Sequence, residues 1–227
     1  GGDVEVARTA YDIDAAELHR RVQEAASLGA TEVCLQGGIH PDYTGQTYLD
    51  IVRTVKEAAP DIHIHAFSPL EIDQGAATLQ LPVARFLEML RDVGLRSMPG
   101  TAAEVLDEGV RSILCPDKVT SQRWLDIMEQ AHGVGLHSTA TIMFGHVDDA
   151  RSWVRHWRQV LALQQRTQGF TEVVPLPFVS EGAPIYRRGG SRPGPTWREA
   201  LLMHAVLRLS LGHAIPNVQA SWVKLGQ

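Results

Sequence analysis

Apolar and polar positions alternate in short runs along this chain, and longer amphipathic stretches separate the runs. In the run from Ile62 to Phe67, Ile62 and Ile64 fall on one face of an extended strand, and His63, His65 and Phe67 on the other. The same reasoning predicts six strands in chain order: Glu32–Gln36, Ile62–Phe67, Leu95–Met98, His137–Phe144, Thr171–Leu176 and Val218–Val223.

The amphipathic stretches between these runs predict helices, most of which end at glycine or proline. They cover Ala15–Leu28, Tyr48–Ala59, Pro82–Val93, Ala102–Ile113, Ser121–His132, Ala150–Gln165 and Trp197–Leu211. Strands that alternate with helices of this length form parallel βαβ units. We therefore predict an α/β fold, a partial (β/α) barrel of the TIM type, as a single domain over residues 1–227. We expect the barrel to be incomplete, with a first strand missing ahead of Ala15 and the chain forming the middle of a longer domain.

Composition narrows the possible functions without selecting one. The 227 residues carry a formal charge of -5, and their isoelectric point is about 6.1. The sequence has no cluster of basic residues that would predict nucleic-acid binding. No apolar run approaches the roughly 20 residues of a membrane span, and the first residues lack the pattern of a signal peptide. The two cysteines, Cys34 and Cys115, form neither a disulfide framework nor a Cys-x-x-Cys metal motif. The chain is expected to be cytoplasmic.

Two predicted strands end in polar loops rich in glycine or proline. They are T-E-V-C-L-Q-G-G-I-H-P (31–41) and D-I-H-I-H-A-F-S-P-L-E-I (61–72). An α/β barrel places its chemistry at the carboxyl ends of its strands, so these loops are the first candidates for a functional site.

The His63/His65 pair permits a competing interpretation. A His-x-His pair on one strand face also begins the metal site of barrel hydrolases, which further histidines and an aspartate complete. Only His137 and His146, on and just after the predicted strand His137–Phe144, partly supply such ligands, and no predicted strand ends in aspartate. The metal-dependent hydrolase remains an alternative of another enzyme class, and a fragment with no activity of its own is a third.

Seven blocks of sequence, in this order, resemble the radical S-adenosylmethionine (SAM) enzymes of deazaflavin and menaquinone biosynthesis. The blocks are Q-G-G-I-H-P (36–41), H-A-F-S-P-L-E-I (65–72), P-G-T-A-A-E-V-L (99–106), T-A-T-I-M-F-G-H-V (139–147), P-L-P-F-V (175–179), R-P-G-P (192–195) and S-W-V-K-L-G (221–226). The resemblance extends from Tyr11 to Gly226 and is greatest to the FO synthase branch that handles tyrosine. Enzymes of the futalosine pathway share two of the blocks and are the alternative within the family.

The resemblance implies a radical SAM barrel that uses SAM and a 4Fe-4S cluster. Its implied reaction joins the 4-hydroxybenzyl group of tyrosine to 5-amino-6-(D-ribitylamino)uracil, in fusion or association with a second FO synthase subunit. The family binds its cluster with a Cys-x3-Cys-x2-Cys loop, which this sequence lacks. We expect that loop upstream of Gly1, no metal ligands within the chain, and no activity from the chain alone.

The resemblance also implies roles for particular residues. Gln36, Gly37 and Gly38 follow a strand at the position where this superfamily binds the methionine end of SAM. Further expected SAM contacts are Ser68, Glu71, Glu104 and Thr141. Residues expected to face substrate are His65, Thr139, Met143 and His146.

Several of these residues also have a purely structural interpretation. Ser68 and Glu71 can act as the N-cap and first-turn acid of a helix, and Thr101 and Glu104 have the spacing of a capping box. The glycines can serve a tight turn. The threonines can fill the core of the barrel.

Overall fold

The computed structural model describes residues 13–221, which contain one parallel sheet of six strands. The strands pair in sequence order, β1 beside β2 and onward to β6. They are β1 Glu32–Leu35, β2 His63–Ala66, β3 Ser97–Met98, β4 His137–Phe144, β5 Phe170–Pro177 and β6 Asn217–Val218. Within the described residues β1 and β6 remain unpaired with each other, so the sheet is an open, partial barrel. The predicted fold class is confirmed.

Helices connect the strands and cover the outer face of the sheet. They are α1 Ala15–Ser27, α2 Gly45–Ala58, α3 Pro69–Thr78, α4 Val83–Val93, α5 Glu108–Leu114, α6 Ser121–Gly133, α7 Ala150–Thr167, α8 Pro184–Arg187 and α9 Trp197–Leu211. None of the helices in the described part of the chain is long and apolar enough to cross a membrane.

Local sequence explains where several helices begin and end. The Asp14 side chain accepts a hydrogen bond from the Glu17 N–H at the start of α1, and Asp149 and Ser152 form a reciprocal capping box at the start of α7. Gly94 ends α4 with φ at 126°, a conformation that a side chain would disfavour.

The core lies between the sheet and the helices. Ile64 of β2 and Ile142 of β4 are fully buried, as are Phe86 and Leu90 of α4. Burying a side chain of this size contributes roughly 1.5–3 kcal/mol. This packing fixes the outer face of the sheet and leaves its polar inner face and carboxyl edge for function.

The predicted alternation in β2 is confirmed at four positions and wrong at the fifth. Ile62 and Ile64 are buried, and His63 and His65 are partly exposed on the opposite face. Phe67 is 3% exposed and has φ at 66°, so the chain has left the strand conformation there. Its ring packs on Tyr48, with ring centroids 4.9 Å apart.

The predicted helix Ala102–Ile113 is wrong over its first half. Residues 99–106 run beside β4 instead, where the Met143 N–H donates to the Glu104 carbonyl oxygen across 2.8 Å. The helix α5 begins only at Glu108, where Asp107 caps it. The capping box predicted for Thr101 and Glu104 is therefore absent from this described segment.

Two helices and one strand also differ from the sequence prediction. The sequence pattern missed α3, which follows the F-S-P-L-E-I loop, and the single turn α8. The last strand ends at Val218, before the predicted end at Val223. Residues 1–12 and 222–227, including most of the S-W-V-K-L-G block, lie outside the described residues.

Candidate SAM-binding site

A cavity of about 560 Å³ opens where β1 ends, between α1, α2 and the start of α3. Its polar wall consists of Gln36, Gly37, Gly38 and Glu71. Its apolar wall includes Tyr43, Tyr48 and Phe67. Four of the seven residues predicted to contact SAM therefore line one cavity at the carboxyl end of a strand.

Gly37 and Gly38 are not needed for packing. A Cβ atom at Gly38 would meet nothing within 4 Å, and one at Gly37 would lie 3.7 Å from Glu71 Oε1, an ordinary contact. Gly45 and Gly75 differ, because a Cβ at either would come within 2.6 Å of a neighbouring atom. The backbone at Gly38 faces open space and the backbone at Gly37 lies beside Glu71 without crowding, so both leave room for close approach of a ligand.

Gln36 connects two loops at the mouth of the sheet. Its side-chain oxygen accepts a hydrogen bond of 3.0 Å from the Thr101 hydroxyl, and its amide donates to Cys34 Sγ at 3.4 Å. The Thr101 bond fixes the loop after β3 against the loop after β1, so Gln36 helps to shape the cavity wall.

Glu71 is a buried carboxylate that organises the rim of the cavity. Its Oε2 accepts bonds from the Ser68 N–H at 2.8 Å and the Ser68 hydroxyl at 2.7 Å, and Oε1 accepts one from the Gly37 N–H at 3.3 Å. Burial raises the pKa of Glu71, and the bonds from Ser68 and Gly37 oppose that rise. Because Ser68 and Glu71 cap α3 reciprocally, their structural interpretation is correct, and Glu71 still reaches the glycine loop.

Thr139 and Thr141 project from β4 and hold the backbone of Gly100. The Gly100 N–H donates to the Thr139 hydroxyl at 2.9 Å, and the Thr141 hydroxyl donates to the Gly100 carbonyl at 2.6 Å. All of these atoms are buried. Their contact with SAM or substrate stays a prediction, and the structure gives both hydroxyls a partner within the protein.

Glu104 has a cationic partner that the sequence analysis did not identify. Lys118 Nζ lies 2.7 Å from Glu104 Oε1, and the two side chains are 32% and 15% exposed. Fourteen residues separate them, so no local pattern signals the pair.

His146 is buried, although the sequence placed it toward substrate. The Val147 N–H donates to its Nδ1 at 2.7 Å, and its Nε2 bonds the Met143 carbonyl at 2.9 Å. This arrangement requires the neutral tautomer, and burial lowers the pKa of His146 accordingly. Both ring nitrogens of His146 therefore have hydrogen-bond partners within its own loop. The Met143 side chain, in contrast, is only half-buried.

Asp148 holds that loop in place and was missed by the sequence analysis. Its fully buried carboxylate accepts hydrogen bonds from the backbone N–H groups of Gly145 and His146 and from Trp153 Nε1. The sequence signal was available, since an acid that follows G-H-V can bond the amides of that turn.

His63 and His65 share one partner and do not form a metal site. His63 Nε2 and His65 Nδ1 each lie 2.7 Å from the Ser97 hydroxyl. Burial lowers the pKa of His65. In residues 13–221, no set of three or more His, Cys, Asp or Glu side chains is arranged to hold a metal ion. The hydrolase alternative therefore lacks its metal centre in this part of the chain.

Comparison with protein families identifies the architecture. A family model described as the radical SAM superfamily matches residues 4–157. The chain belongs to the radical SAM superfamily. The open parallel sheet is thus part of a radical SAM domain, and the resemblance found in the sequence is confirmed.

Curated relatives within the superfamily are similar over most of this chain. The chain is 48% identical over 217 residues both to the FO synthase of Streptomyces coelicolor and to the 5-amino-6-(D-ribitylamino)uracil–L-tyrosine 4-hydroxyphenyl transferase of Methanopyrus kandleri. Each alignment covers 96% of this chain. The chain spans only 25% of the first relative and 59% of the second.

Comparison with a solved structure gives information on the fold but not on the function. The crystal structure of methylornithine synthase superposes with a TM-score of 0.71 at 20% identity, covering 95% of this chain and 58% of that one. The likeness extends over nearly all of the chain, which agrees with a partial barrel of the radical SAM type.

The residues present fit one of the family's cofactors and not the other. The open backbone of Gly37 and Gly38 beside the Glu71 carboxylate suits the amino-acid end of SAM, which offers charged donors and acceptors. A 4Fe-4S cluster needs three closely spaced cysteines in this family, and the sequence has only Cys34 and Cys115, both free thiols. Cluster ligands would have to come from outside these 227 residues.

Proposed function

We propose that the full-length protein is a radical SAM transferase of deazaflavin coenzyme biosynthesis. It joins the 4-hydroxybenzyl group of tyrosine to 5-amino-6-(D-ribitylamino)uracil. The names of the relatives from Methanopyrus and Streptomyces support this reaction, at 48% identity over 217 residues. It is a proposal for the whole protein because the chain spans 59% or less of either relative.

The observation that carries the proposal is the unobstructed glycine pair at the end of β1. Gly37 and Gly38 leave backbone open to a cavity where packing does not demand glycine. When bound, SAM and the cluster supply the radical that starts chemistry in this superfamily. The residues of this chain have the separate task of binding and orienting SAM and the substrates.

Each wall of the cavity has a distinct task in this proposal. The backbone of Gln36, Gly37 and Gly38 binds the methionine end of SAM, and Glu71 fixes the orientation of the Gly37 N–H. Tyr48 and Phe67 form an apolar wall that keeps water away from the reacting groups. The inward-facing His65, Thr139 and Met143 remain our candidates for substrate contact.

Two broader expectations belong to the same proposal. The larger relatives support fusion or association with a second FO synthase subunit. We also place the protein in the cytoplasm, with small molecules rather than nucleic acid or membrane as its partners.

The test is a reaction with the full-length gene product after its cluster is reconstituted. SAM, a reductant, tyrosine and 5-amino-6-(D-ribitylamino)uracil are supplied, and mass spectrometry follows 5'-deoxyadenosine and the coupled product. We expect coupled product only when both substrates are present. Release of 5'-deoxyadenosine that depends on a futalosine-pathway substrate instead of tyrosine would contradict the proposal.

A further inference from the structure

The segment 99–107, between β3 and α5, forms neither helix nor strand, yet side chains from distant elements hold its backbone. The threonine hydroxyls of β4 bind Gly100 near its start. Near its end, the Leu106 N–H donates to His156 Nδ1 at 2.9 Å, and the Leu106 carbonyl accepts from Gln159 Nε2 at 2.6 Å. Anchors of this kind fix a loop in one conformation, which a ligand-binding loop requires.

Arg111, in α5, anchors the middle of the segment and is almost completely buried, at 2% exposure. Its Nη1 donates to the Ala103 carbonyl, and its Nη2 donates to the Val119 carbonyl. Ala103 lies in the loop that follows β3, and Val119 lies in the loop that precedes α6. Because α6 returns the chain to the start of β4, its first turn lies at the carboxyl edge of the sheet. Arg111 therefore joins two loops at the edge where barrel enzymes carry out their chemistry.

The Arg111 guanidinium is an expensive group to bury. Removing a charge from water opposes folding unless hydrogen bonds offset the cost, and an apolar side chain of similar size would avoid it. Such a side chain would, however, leave the Ala103 and Val119 carbonyls without these donors. The planar guanidinium also presents its donors in a rigid fork, so it specifies how far apart the two carbonyls lie. Arg111 thus sets the geometry of the two loops in addition to filling space.

The two carbonyls that Arg111 binds are next to a pair of charged residues. Glu104 follows Ala103, Lys118 precedes Val119, and Lys118 Nζ lies 2.7 Å from Glu104 Oε1. The φ of Glu104 is 50°, a left-handed conformation that residues other than glycine rarely adopt. Such a conformation persists only where the surrounding structure enforces it. Arg111 supplies one of these restraints, on the residue directly before Glu104.

The same segment also contacts the wall of the SAM cavity. The Thr101 hydroxyl donates to the Gln36 side-chain oxygen at 3.0 Å, and Gln36 lines the cavity. A displacement of segment 99–107 would therefore be transmitted to the cavity wall.

We propose that Arg111 is a positioning residue for SAM binding. Through the Ala103 and Val119 carbonyls it holds the loop after β3 in the conformation in which Glu104, a SAM contact predicted from the sequence, reaches the cofactor. Arg111 acts through this loop and does not itself touch SAM. This inference rests on the proposed function only in that the protein uses SAM, and it does not depend on which substrates react.

The experiment measures SAM affinity in the full-length protein with its cluster reconstituted. The dissociation constant is determined for wild type, Arg111→Met and Arg111→Lys, each with and without Glu104→Gln. Hydrogen exchange of the amides in segment 99–107 is followed in the same proteins without SAM. The control is His132→Gln, which removes a buried ring that bonds two hydroxyls near the amino end of β4, away from this segment.

We expect Arg111→Met to weaken SAM binding about 10-fold or more, since the loop loses a charged hydrogen-bonding anchor. Arg111→Lys should weaken it less, because a single ammonium group keeps the charge but not the fork. Both variants should speed hydrogen exchange within segment 99–107. The effect of Arg111→Met should be clearly smaller in the Glu104→Gln background, because coupled residues have non-additive effects. His132→Gln should lower the melting temperature and keep SAM affinity within about threefold of wild type.

Fully additive losses of SAM affinity in the double variant would overturn this inference and leave Arg111 with a structural role only. Wild-type SAM affinity in folded Arg111→Met, or in Glu104→Gln, would overturn it as well. A thermal melt shows whether Arg111→Met is folded, and if it is not, Arg111→Lys with and without Glu104→Gln decides. Failure of wild type to couple tyrosine would overturn the proposed function instead, and the SAM measurements would still decide the role of Arg111.

Discussion

The Glu71 carboxylate accepts a hydrogen bond from the Gly37 N–H across 3.3 Å, although 34 residues separate them in sequence. This bond joins the loop after β1 to the first turn of α3. The same carboxylate caps α3 through Ser68. One buried side chain therefore sets the position of two neighbouring loops at the mouth of the sheet.

Replacing Gly38 by alanine should separate cofactor binding from folding. The new Cβ meets no protein atom, so the free energy of unfolding should change by less than about 1 kcal/mol. If SAM approaches this backbone, its affinity should fall about tenfold or more, which corresponds to about 1.4 kcal/mol. SAM titration and a thermal melt of the full-length protein measure the two effects.

Gly133→Ala is the control, since its Cβ also meets nothing within 4 Å and it lies at the end of α6. Equal SAM affinity in both variants would remove Gly38 from the site.

Glu71→Gln should lower both stability and SAM affinity. The amide has one acceptor oxygen in place of two and turns donors toward the N–H groups of Ser68 and Gly37, so we expect a loss of about 1–3 kcal/mol in unfolding free energy. SAM binding should weaken as the Gly37 loop loses its restraint. Chemical denaturation and SAM titration give the two values. A destabilised variant with wild-type SAM affinity would show that Glu71 serves only the helix cap.

Asp148→Asn should destabilise the loop after β4. The amide group cannot accept from both backbone N–H groups and from Trp153 Nε1 at once, so about 2 kcal/mol or more of stability should be lost. The adjacent Asp149→Asn is the control, because asparagine is an equally good N-cap for α7. Denaturant midpoints of the two variants should differ clearly. Similar midpoints would mean that Asp148 contributes little to holding the loop.

Acid should destabilise the protein partly through His156. Complete burial lowers its pKa to about 3, and its Nδ1 accepts a hydrogen bond from the Leu106 N–H at 2.9 Å. The unfolded chain takes up this proton below its ordinary pKa of about 6.5 and the folded chain does not. Stability from this group is therefore full above about pH 6.5 and is lost as pH falls toward 3, by on the order of a few kcal/mol.

Melting temperatures of wild type and His156→Gln from pH 7 to 4 should converge as pH falls, whereas the exposed control His213→Gln should follow wild type. Parallel curves for His156→Gln and wild type would refute this account.

Much of the fold could be predicted because it depends on local pattern. Five of the six strands and most helices appear where periodicity and terminating residues indicate them, and the sixth overlaps its predicted range only at Val218. The failures have tertiary causes. Residues 102–106 were predicted to be helical, yet Thr139 and Thr141 bind the backbone of Gly100 and hold the segment alongside β4.

The grouping of the candidate site residues could be predicted in part for the same reason. Gln36, Gly37, Gly38 and Glu71 line one cavity because their loops follow neighbouring parallel strands, which the alternation of strands and helices implies. His146 was expected to face substrate, but Asp148 and its own backbone contacts bury the ring. No spacing rule identifies Lys118 as the partner of Glu104.

The sequence by itself determined the parallel α/β architecture and the family, and it selected the loops that we propose carry function, since each is encoded in local periodicity and contiguous motifs. Only the tertiary structure decided which polar atoms within those loops are free. It assigned the hydroxyls of Thr139 and Thr141 to Gly100 and both nitrogens of His146 to their own loop. Among residues 13–221, it left Gly38 with space for a Cβ atom that no protein atom fills. The physical reason is that a polar group finds its hydrogen-bond partner in three dimensions, often from a distant segment, and a group without one remains available to a ligand.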